Sequence, residues 1–140
     1  MPAPKQEIRN GHAIHFSVGA LIKKDGEYLL INHKVCGYAG VAGHIDEGEE
    51  PLQALYREVE EESGLKIENH ALVIDEFVPW NWCSKGVTGH HWYLYDCTVS
   101  GSVKQNVEET KSIGWYTVEQ IKELTLEPVW EQWFNRLNIL

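Results

Sequence analysis

The sequence predicts an α/β fold, a sandwich that contains a mixed β-sheet. Two observations lead to it. Extended runs rich in β-branched and aromatic residues alternate with segments of helical period, and a tight turn joins the first two extended runs. The 140 residues correspond to one ordinary domain, and a hydrophobic content of 43% suffices for one core. We therefore expect a single domain over residues 1–140.

The N-terminal part is predicted to open with a β-hairpin. Apolar side chains alternate over residues 12–22, an Asp-Gly turn lies within residues 23–27, and residues 28–34 return as a second extended run. Residues 41–45 can form one more short strand. These strands lead the chain into its most acidic stretch.

A helix and two long strands are predicted next. Residues 51–63 have helical spacing, with a proline in the first turn, where it is tolerated, and Gly64 is placed to end the helix. Residues 65–78 and 90–99 are rich in β-branched and aromatic side chains, which favours strands.

The C-terminal part is predicted to form a loop, a short strand and two helices. A polar loop is expected within residues 99–113, with a strand near Trp115. The segment 117–125 begins with a threonine that can cap a helix, and residues 127–137 repeat apolar side chains near the helical period.

Composition and charge narrow the classes of partner. The formal charge of −9, with scattered lysines and arginines, disfavours a nucleic-acid polymer. A small polyanion is compatible with it, because divalent ions held by carboxylates can bridge protein to phosphate. No signal-peptide pattern and no run of about 18 apolar residues occurs, so we expect a cytoplasmic protein without a membrane segment. A homodimer is left open.

The cysteines predict no disulfide framework. The chain has three cysteines, an odd number, at unrelated spacings: Cys36, Cys83 and Cys97. This pattern fits reduced thiols better than a set of paired disulfides. A zinc site built from Cys83, Cys97 and the histidines 90 and 91 is disfavoured, because His91 and Cys97 on one strand would lie about 20 Å apart.

The main candidate for a functional site is the segment 43–65, which contains eight carboxylates. With about 100° per residue, Glu58, Glu61 and Glu62 share one helix face. This face adjoins an apolar stripe, so the carboxylates should lie where the helix docks on the sheet. The stripe is Leu52, Leu55 and Val59. Arg57 can neutralise one carboxylate, and Mg²⁺ or Mn²⁺, which prefer oxygen ligands, could compensate the others.

A solvated acidic face is the alternative interpretation. Such a face would normally include lysines that pair one turn away, yet none occurs between Lys34 and Lys66. The stretch also resembles the Nudix box, G-x5-E-x7-R-E-U-x-E-E-x-G-U, where U is a bulky aliphatic residue. All constrained positions match: Gly43, Glu49, Arg57, Glu58, Val59, Glu61, Glu62, Gly64 and Leu65. The resemblance to the Nudix family implies an α/β/α sandwich.

The resemblance further implies a hydrolase that cleaves the diphosphate linkage of a nucleoside diphosphate derivative. Glu58, Glu61 and Glu62 would bind Mg²⁺ or Mn²⁺, and the main-chain carbonyl of Ala42 would complete the metal shell.

Further residues of the motif are expected to support the metal ligands. Arg57 would orient the carboxylates, and Glu49 would fix the loop against the helix, although a purely structural role suits both equally well. Gly43 and Gly48 suit tight bends of the loop.

The general base is expected outside the motif. Many Nudix enzymes take a further glutamate from another loop, and Glu108 and Glu109 lie in the polar loop before Ile113. Glu108 is preferred over Glu109 as base or extra ligand. The alternative for both is a solvent-exposed position without a role in catalysis.

Aromatic residues supply the expected contacts to substrate. Trp80, Trp82 and Trp92 could stack on a nucleobase, although tryptophans in a domain of this size usually belong to the core. Pro79 and the pair Ala42 and Gly43 loosely resemble the ADP-ribose branch of the family. ADP-ribose-like compounds are therefore preferred narrowly over nucleoside triphosphates.

Two other functions are weighed. A ligand-sensing module that has lost its chemistry would be expected to lack motif glutamates, and all are present here. Isopentenyl diphosphate isomerase, a relative with a similar Gly-His pair, has a reactive cysteine where this chain has Ala42.

Overall fold

The computed structural model describes residues 3–33, 37–81, 87–104 and 110–140. The strands are β1 (Gln6–Arg9), β2 (His12–Lys24), β3 (Glu27–His33), β4 (Gly37–Ala39), β5 (Val41–His44), β6 (Lys66–Val78), β7 (Gly89–Ser100) and β8 (Thr110–Thr117). The helices are α1 (Pro51–Ser63), α2 (Val118–Ile121) and α3 (Pro128–Arg136).

Strand β2 organises the sheet. It pairs antiparallel with β1 and β5 and parallel with β7, and β6 adds to the far side of β7. The predicted hairpin is confirmed at its turn, where Asp25 and Gly26 have φ of 51° and 79°. Beyond two residue pairs the arms separate, and β3 pairs with β4 and β8 instead. Parallel and antiparallel pairs together make the sheet mixed, as predicted.

The sheet lies between two helical layers. Alternate β2 side chains, such as Phe16 and Val18, enter one core cluster with Leu55 and Val59 of α1. The opposite face of the sheet packs in a second cluster against α3, which buries Val129, Trp130, Trp133 and Phe134. This period-2 alternation on a strand covered on both faces confirms the α/β/α sandwich.

The predicted helices are confirmed, with differences in their lengths and in which side chains of α1 face the core. Helix α1 has the predicted bounds, but Leu52 is 38% exposed while Ala54 is fully buried, so the apolar stripe is rotated toward Ala54. Helix α2 is only four residues long, although Thr117 caps it as expected and accepts a hydrogen bond from the N–H of Gln120. No helix within the described residues is long and apolar enough to cross a membrane.

The described cysteine behaves as a buried thiol. Cys97 is free, and burial raises its pKa to about 12, so it stays protonated and unreactive at neutral pH. Cys36 and Cys83 lie outside the described residues.

We expect Glu127→Gln to stabilise the protein at pH 8 but not at pH 4. Glu127 precedes α3, and burial raises its pKa to about 7. The folded state therefore keeps a proton that the unfolded chain releases above its ordinary pKa of about 4.3, so stability decreases from about pH 4 to 7. Glutamine removes this loss, which is on the order of 3 kcal/mol at pH 8.

Urea denaturation at pH 4, 6 and 8 measures this effect. Exposed Glu123→Gln is the control for the removal of one surface carboxylate and should not stabilise the protein at pH 8. If the stability of the Glu127→Gln protein depends on pH as that of the wild type does, the raised pKa does not belong to Glu127.

Candidate functional site

The acidic stretch forms a loop and a helix whose ends are fixed by local signals. The N–H of Glu50 donates to the side chain of Gln53 at 2.8 Å, as in the capping box common at helix starts. Pro51 occupies the first turn, where its missing N–H costs nothing. Gly64 ends the helix with a φ of 74°, and its N–H donates to the Glu60 carbonyl. The proline and Gly64 were noted in the sequence as signals for the two ends of α1, which follows β5 after the loop 45–50.

Arg57 is the hub of the site. Its guanidinium makes a two-point contact with Glu49, through Nε at 2.7 Å and Nη2 at 2.9 Å. Nη1 donates to Glu58 at 2.6 Å and lies 3.4 Å from Glu61. Nη2 also donates to the main-chain carbonyl of His44 at 3.0 Å. One side chain therefore ties the end of β5, the following loop and α1 together.

Negative charge remains in excess around the guanidinium of Arg57. One guanidinium lies within 3.4 Å of four carboxylates, those of Asp46, Glu49, Glu58 and Glu61. Hydrogen bonding to Arg57 is the main cause that lowers the pKa of Glu49, and the same pairing raises the pKa of Arg57. Both groups stay ionised at neutral pH. The single positive charge of Arg57 can offset only one of these carboxylates, although its fork contacts several.

The loop that carries Glu49 is held at both of its ends. The Glu49 side chain accepts a hydrogen bond from the N–H of Asp46 at 2.9 Å, and the N–H of Glu49 donates to the Asp46 carbonyl at 3.0 Å. Gly48 adopts a φ of 82° between them, a conformation that glycine adopts without strain. The expected role of Glu49, fixing the loop against the helix, agrees with these contacts.

Gly43 makes room for a carboxylate and does not serve a bend. It lies inside β5 and pairs with Val18, so the expectation of a tight bend at this residue is wrong. A Cβ added to Gly43 would collide with the carboxyl group of Glu58. Glycine leaves open the space that this carboxylate occupies, which a side chain at this position would fill.

The three helix carboxylates differ in exposure. Glu62 is 5% exposed, and its Oε1 accepts a hydrogen bond from the N–H of Ala42 at 3.0 Å. The Glu58 side chain is 14% exposed and that of Glu61 is 59% exposed. They extend from the sheet surface toward solvent along one side of α1. Ala42 meets Glu62 through its N–H, and its carbonyl as a metal ligand stays a prediction.

This arrangement fits a hard divalent cation. Its donors are carboxylate oxygens, which Mg²⁺ and Mn²⁺ prefer, and the surrounding charge is negative even after the contribution of Arg57. The space above Gly43 is reserved for one of these carboxylates. Glu58, Glu61 and Glu62 would hold the ion, with Arg57 and Glu49 orienting them from behind.

The tryptophans predicted to contact substrate occupy different environments. Trp80 is 47% exposed, whereas Trp92 is 6% exposed. The Trp92 ring lies 6.2 and 6.1 Å from the rings of Trp130 and Trp133, and its Nε1 donates to Asn81 at 2.8 Å. Trp92 is therefore a core residue, which corrects its prediction as a stacking platform. Two other predicted site residues lie outside the described residues: Trp82 and Glu108.

The structure also brings together three histidines that the sequence analysis did not connect. One ring nitrogen from each of His15, His44 and His90 lies within 4.8 Å of the others. Alternation along β7 correctly separates His90 from His91, but the cluster depends on the pairing of β2 with β7 and with β5. Local sequence patterns do not reveal pairing between distant strands, so no signal pointed to this group.

Comparisons with known proteins agree on one family. The model of the NUDIX domain matches residues 13–137. A MutT-like protein of Streptomyces ambofaciens is 26% identical over 111 residues, which cover 78% of this chain and 67% of that protein. The NAD-capped RNA hydrolase NudC of Photorhabdus laumondii is 31% identical over 103 residues, 71% of this chain but only 38% of that hydrolase.

The fold is also found among solved structures. The NUDIX domain of NrtR from Shewanella oneidensis, complexed with ADP ribose, superimposes with a TM-score of 0.71 over 88% of this chain and 85% of that domain. Its sequence identity is 16%, so this likeness concerns the fold alone.

We expect Gly43→Ala to weaken Mn²⁺ binding about tenfold or more, the scale for a disturbed ligand shell. The new methyl group would displace the Glu58 carboxylate, while the flexible side chain could move at little cost in stability. Gly48→Ala is the matched control. It has open space but a φ of 82°, so it should lose about 1 kcal/mol of stability and keep its Mn²⁺ affinity.

Electron paramagnetic resonance titration with Mn²⁺ and urea denaturation of both variants measure the two effects. Unchanged Mn²⁺ affinity in a folded Gly43→Ala protein would show that the position of Glu58 does not matter for the metal.

Proposed function

This chain belongs to the Nudix family, and we propose that it is a metal-dependent pyrophosphohydrolase acting on a nucleoside diphosphate derivative. The observation that carries the proposal is the carboxylate cluster around Arg57, in which Glu58 and Glu61 are held by one guanidinium. Glu62 is anchored beside them on Ala42. A solvated acidic helix would not need its carboxylates fixed at the sheet surface.

The protein's own residues would prepare the site for a diphosphate. A bound Mg²⁺ or Mn²⁺ would supply Lewis-acid stabilisation of the charge that develops on the phosphoryl group. Arg57 holds Glu58 in one orientation, which reduces the reorganisation needed for ligation. Glu62, nearly buried, fixes the inner limit of the site, and exposed Glu61 extends toward incoming ligands. Glu108 stays the proposed general base.

The proposed substrate class is a nucleoside diphosphate linked to a second group. The compared relatives support this class, since NudC is named for NAD-capped RNA and the NrtR domain is complexed with ADP ribose. Both ligands contain a diphosphate joining two nucleoside or sugar groups. Exposed Trp80 could stack on a base, worth about 1 to 3 kcal/mol. The net charge of −9 disfavours a long RNA, so ADP-ribose-like compounds are proposed ahead of nucleoside triphosphates.

We expect Glu58→Gln and Glu62→Gln each to lower kcat by about 100-fold or more, the scale for a lost metal ligand or acid–base group. Glutamine keeps the size of each side chain but removes its charge. Glu60→Gln is the control, because Glu60 lies on the same helix but points to solvent, and it should keep full activity.

Steady-state rates with saturating Mg²⁺, and with the metal chelated, measure this. Wild-type rates that survive chelation, or a Glu58→Gln protein that is folded by circular dichroism and fully active, would refute the metal site.

We expect kcat/KM for ADP-ribose to exceed that for each common nucleoside triphosphate. The panel should also contain diadenosine polyphosphates and a short NAD-capped RNA, with inorganic phosphate counted after phosphatase treatment. A triphosphate preferred at least about tenfold, equivalent to about 1.4 kcal/mol, would overturn the substrate preference. Activity on none of these compounds would instead favour a ligand-sensing protein.

A further inference from the structure

Three histidines converge on the face of the sheet opposite α1. His15 on β2 is in register with His90 on the parallel strand β7, and His44 lies at the end of β5, which pairs with the other side of β2. The neighbours of His15 along β2, Ile14 and Phe16, enter the core cluster that contains α1. Because side chains alternate along a strand, His15 points to the other face. The cluster is therefore separate from the carboxylates of α1.

The ring nitrogens are spaced almost as metal ligands are. Nε2 of His44 and Nε2 of His90 lie 3.1 Å apart, and a ring nitrogen of His15 completes a group within 4.8 Å. Tetrahedral zinc binds imidazole nitrogens at about 2.0 to 2.1 Å, which places two ligand nitrogens about 3.3 Å apart. The His44–His90 pair, which is within hydrogen-bond distance, is close to this spacing, and the His15 nitrogen lies within 4.8 Å of both.

A main-chain contact sets the tautomer of His90. Nδ1 of His90 donates to the carbonyl of Asn81, so its Nε2 presents a lone pair to the centre of the cluster. Zinc-bound histidines are commonly oriented in this way, with the second ring nitrogen donating to a carbonyl or carboxylate. Asn81 is itself fixed, because its side chain accepts a hydrogen bond from Trp92.

Two of the three imidazoles are buried. His15 and His90 are each 4% exposed, so the cluster lies inside the fold and its rings are held by the packing around them. His44 is half-buried and marks the side from which a fourth ligand such as water could enter.

We propose that His15, His44 and His90 form a binding site for a transition-metal cation, with Zn²⁺ as the best fit. Three imidazoles suit Zn²⁺ and not Mg²⁺, which prefers oxygen ligands. Three protein ligands with an accessible fourth position are typical of zinc sites that are not purely structural. The site also connects to the carboxylate cluster, because the carbonyl of His44 accepts a hydrogen bond from Arg57.

The test uses the untagged protein, stripped with chelator and kept in excess Mg²⁺ so that oxygen sites are occupied. Calorimetric titration with Zn²⁺ should give one equivalent, and Co²⁺ should develop the visible absorption of a tetrahedral nitrogen site. His90→Gln and His44→Ala should each weaken Zn²⁺ binding about tenfold or more. Exposed His12→Ala is the matched control and should bind as the wild type does.

The double variant Glu58→Gln with Glu62→Gln separates this site from the proposed active site. It should lose hydrolysis yet keep Zn²⁺ binding, whereas loss of Zn²⁺ binding would assign the cation to α1 and overturn the proposal. Equal affinity in wild type and His44→Ala, or no tetrahedral Co²⁺ band, would also overturn it. His44 is half-buried, so its variant decides the matter if circular dichroism shows that His90→Gln is unfolded.

Discussion

The site depends on one ion-pair network, the guanidinium of Arg57 among carboxylates that would otherwise repel one another. The two-point contact with Glu49, at 2.7 and 2.9 Å, uses the planar fork that lysine lacks. The remaining donors reach Glu58 and the end of β5. The network holds negative charge in a fixed place without cancelling it, which is the condition for binding a cation and then a diphosphate.

The short strand β5 contributes to the side-chain clusters on both faces of the sheet. Gly43 leaves the space that Glu58 occupies on the α1 side, while the next residue, His44, directs its ring to the other side and its carbonyl to Arg57. Adjacent residues of one strand therefore serve two clusters of different chemistry. Oxygen ligands on one side and imidazoles on the other would select different cations from the same solution.

Local signals made much of this predictable. Proline in the first turn and Gly64 at the end gave the bounds of α1, and motif spacing gave the carboxylate face. The predictions that failed concerned features that depend on contacts between distant segments of the chain. The sequence left Trp92 open between core and substrate contact, and its packing against Trp130 and Trp133 of α3 decides for the core. The reason for Gly43 likewise lies in a distant residue, Glu58. The parallel pairing that joins His15 to His90 leaves no periodic trace in either strand.

Anomalous diffraction at the manganese edge, from crystals soaked in Mn²⁺, tests the central claim most directly. The account predicts a peak in contact with the carboxylates of Glu58 and Glu62, with Arg57 still bound to Glu49 beside it. An intact Arg57 network with no manganese touching either carboxylate would contradict the claim that this network exists to hold a metal ion.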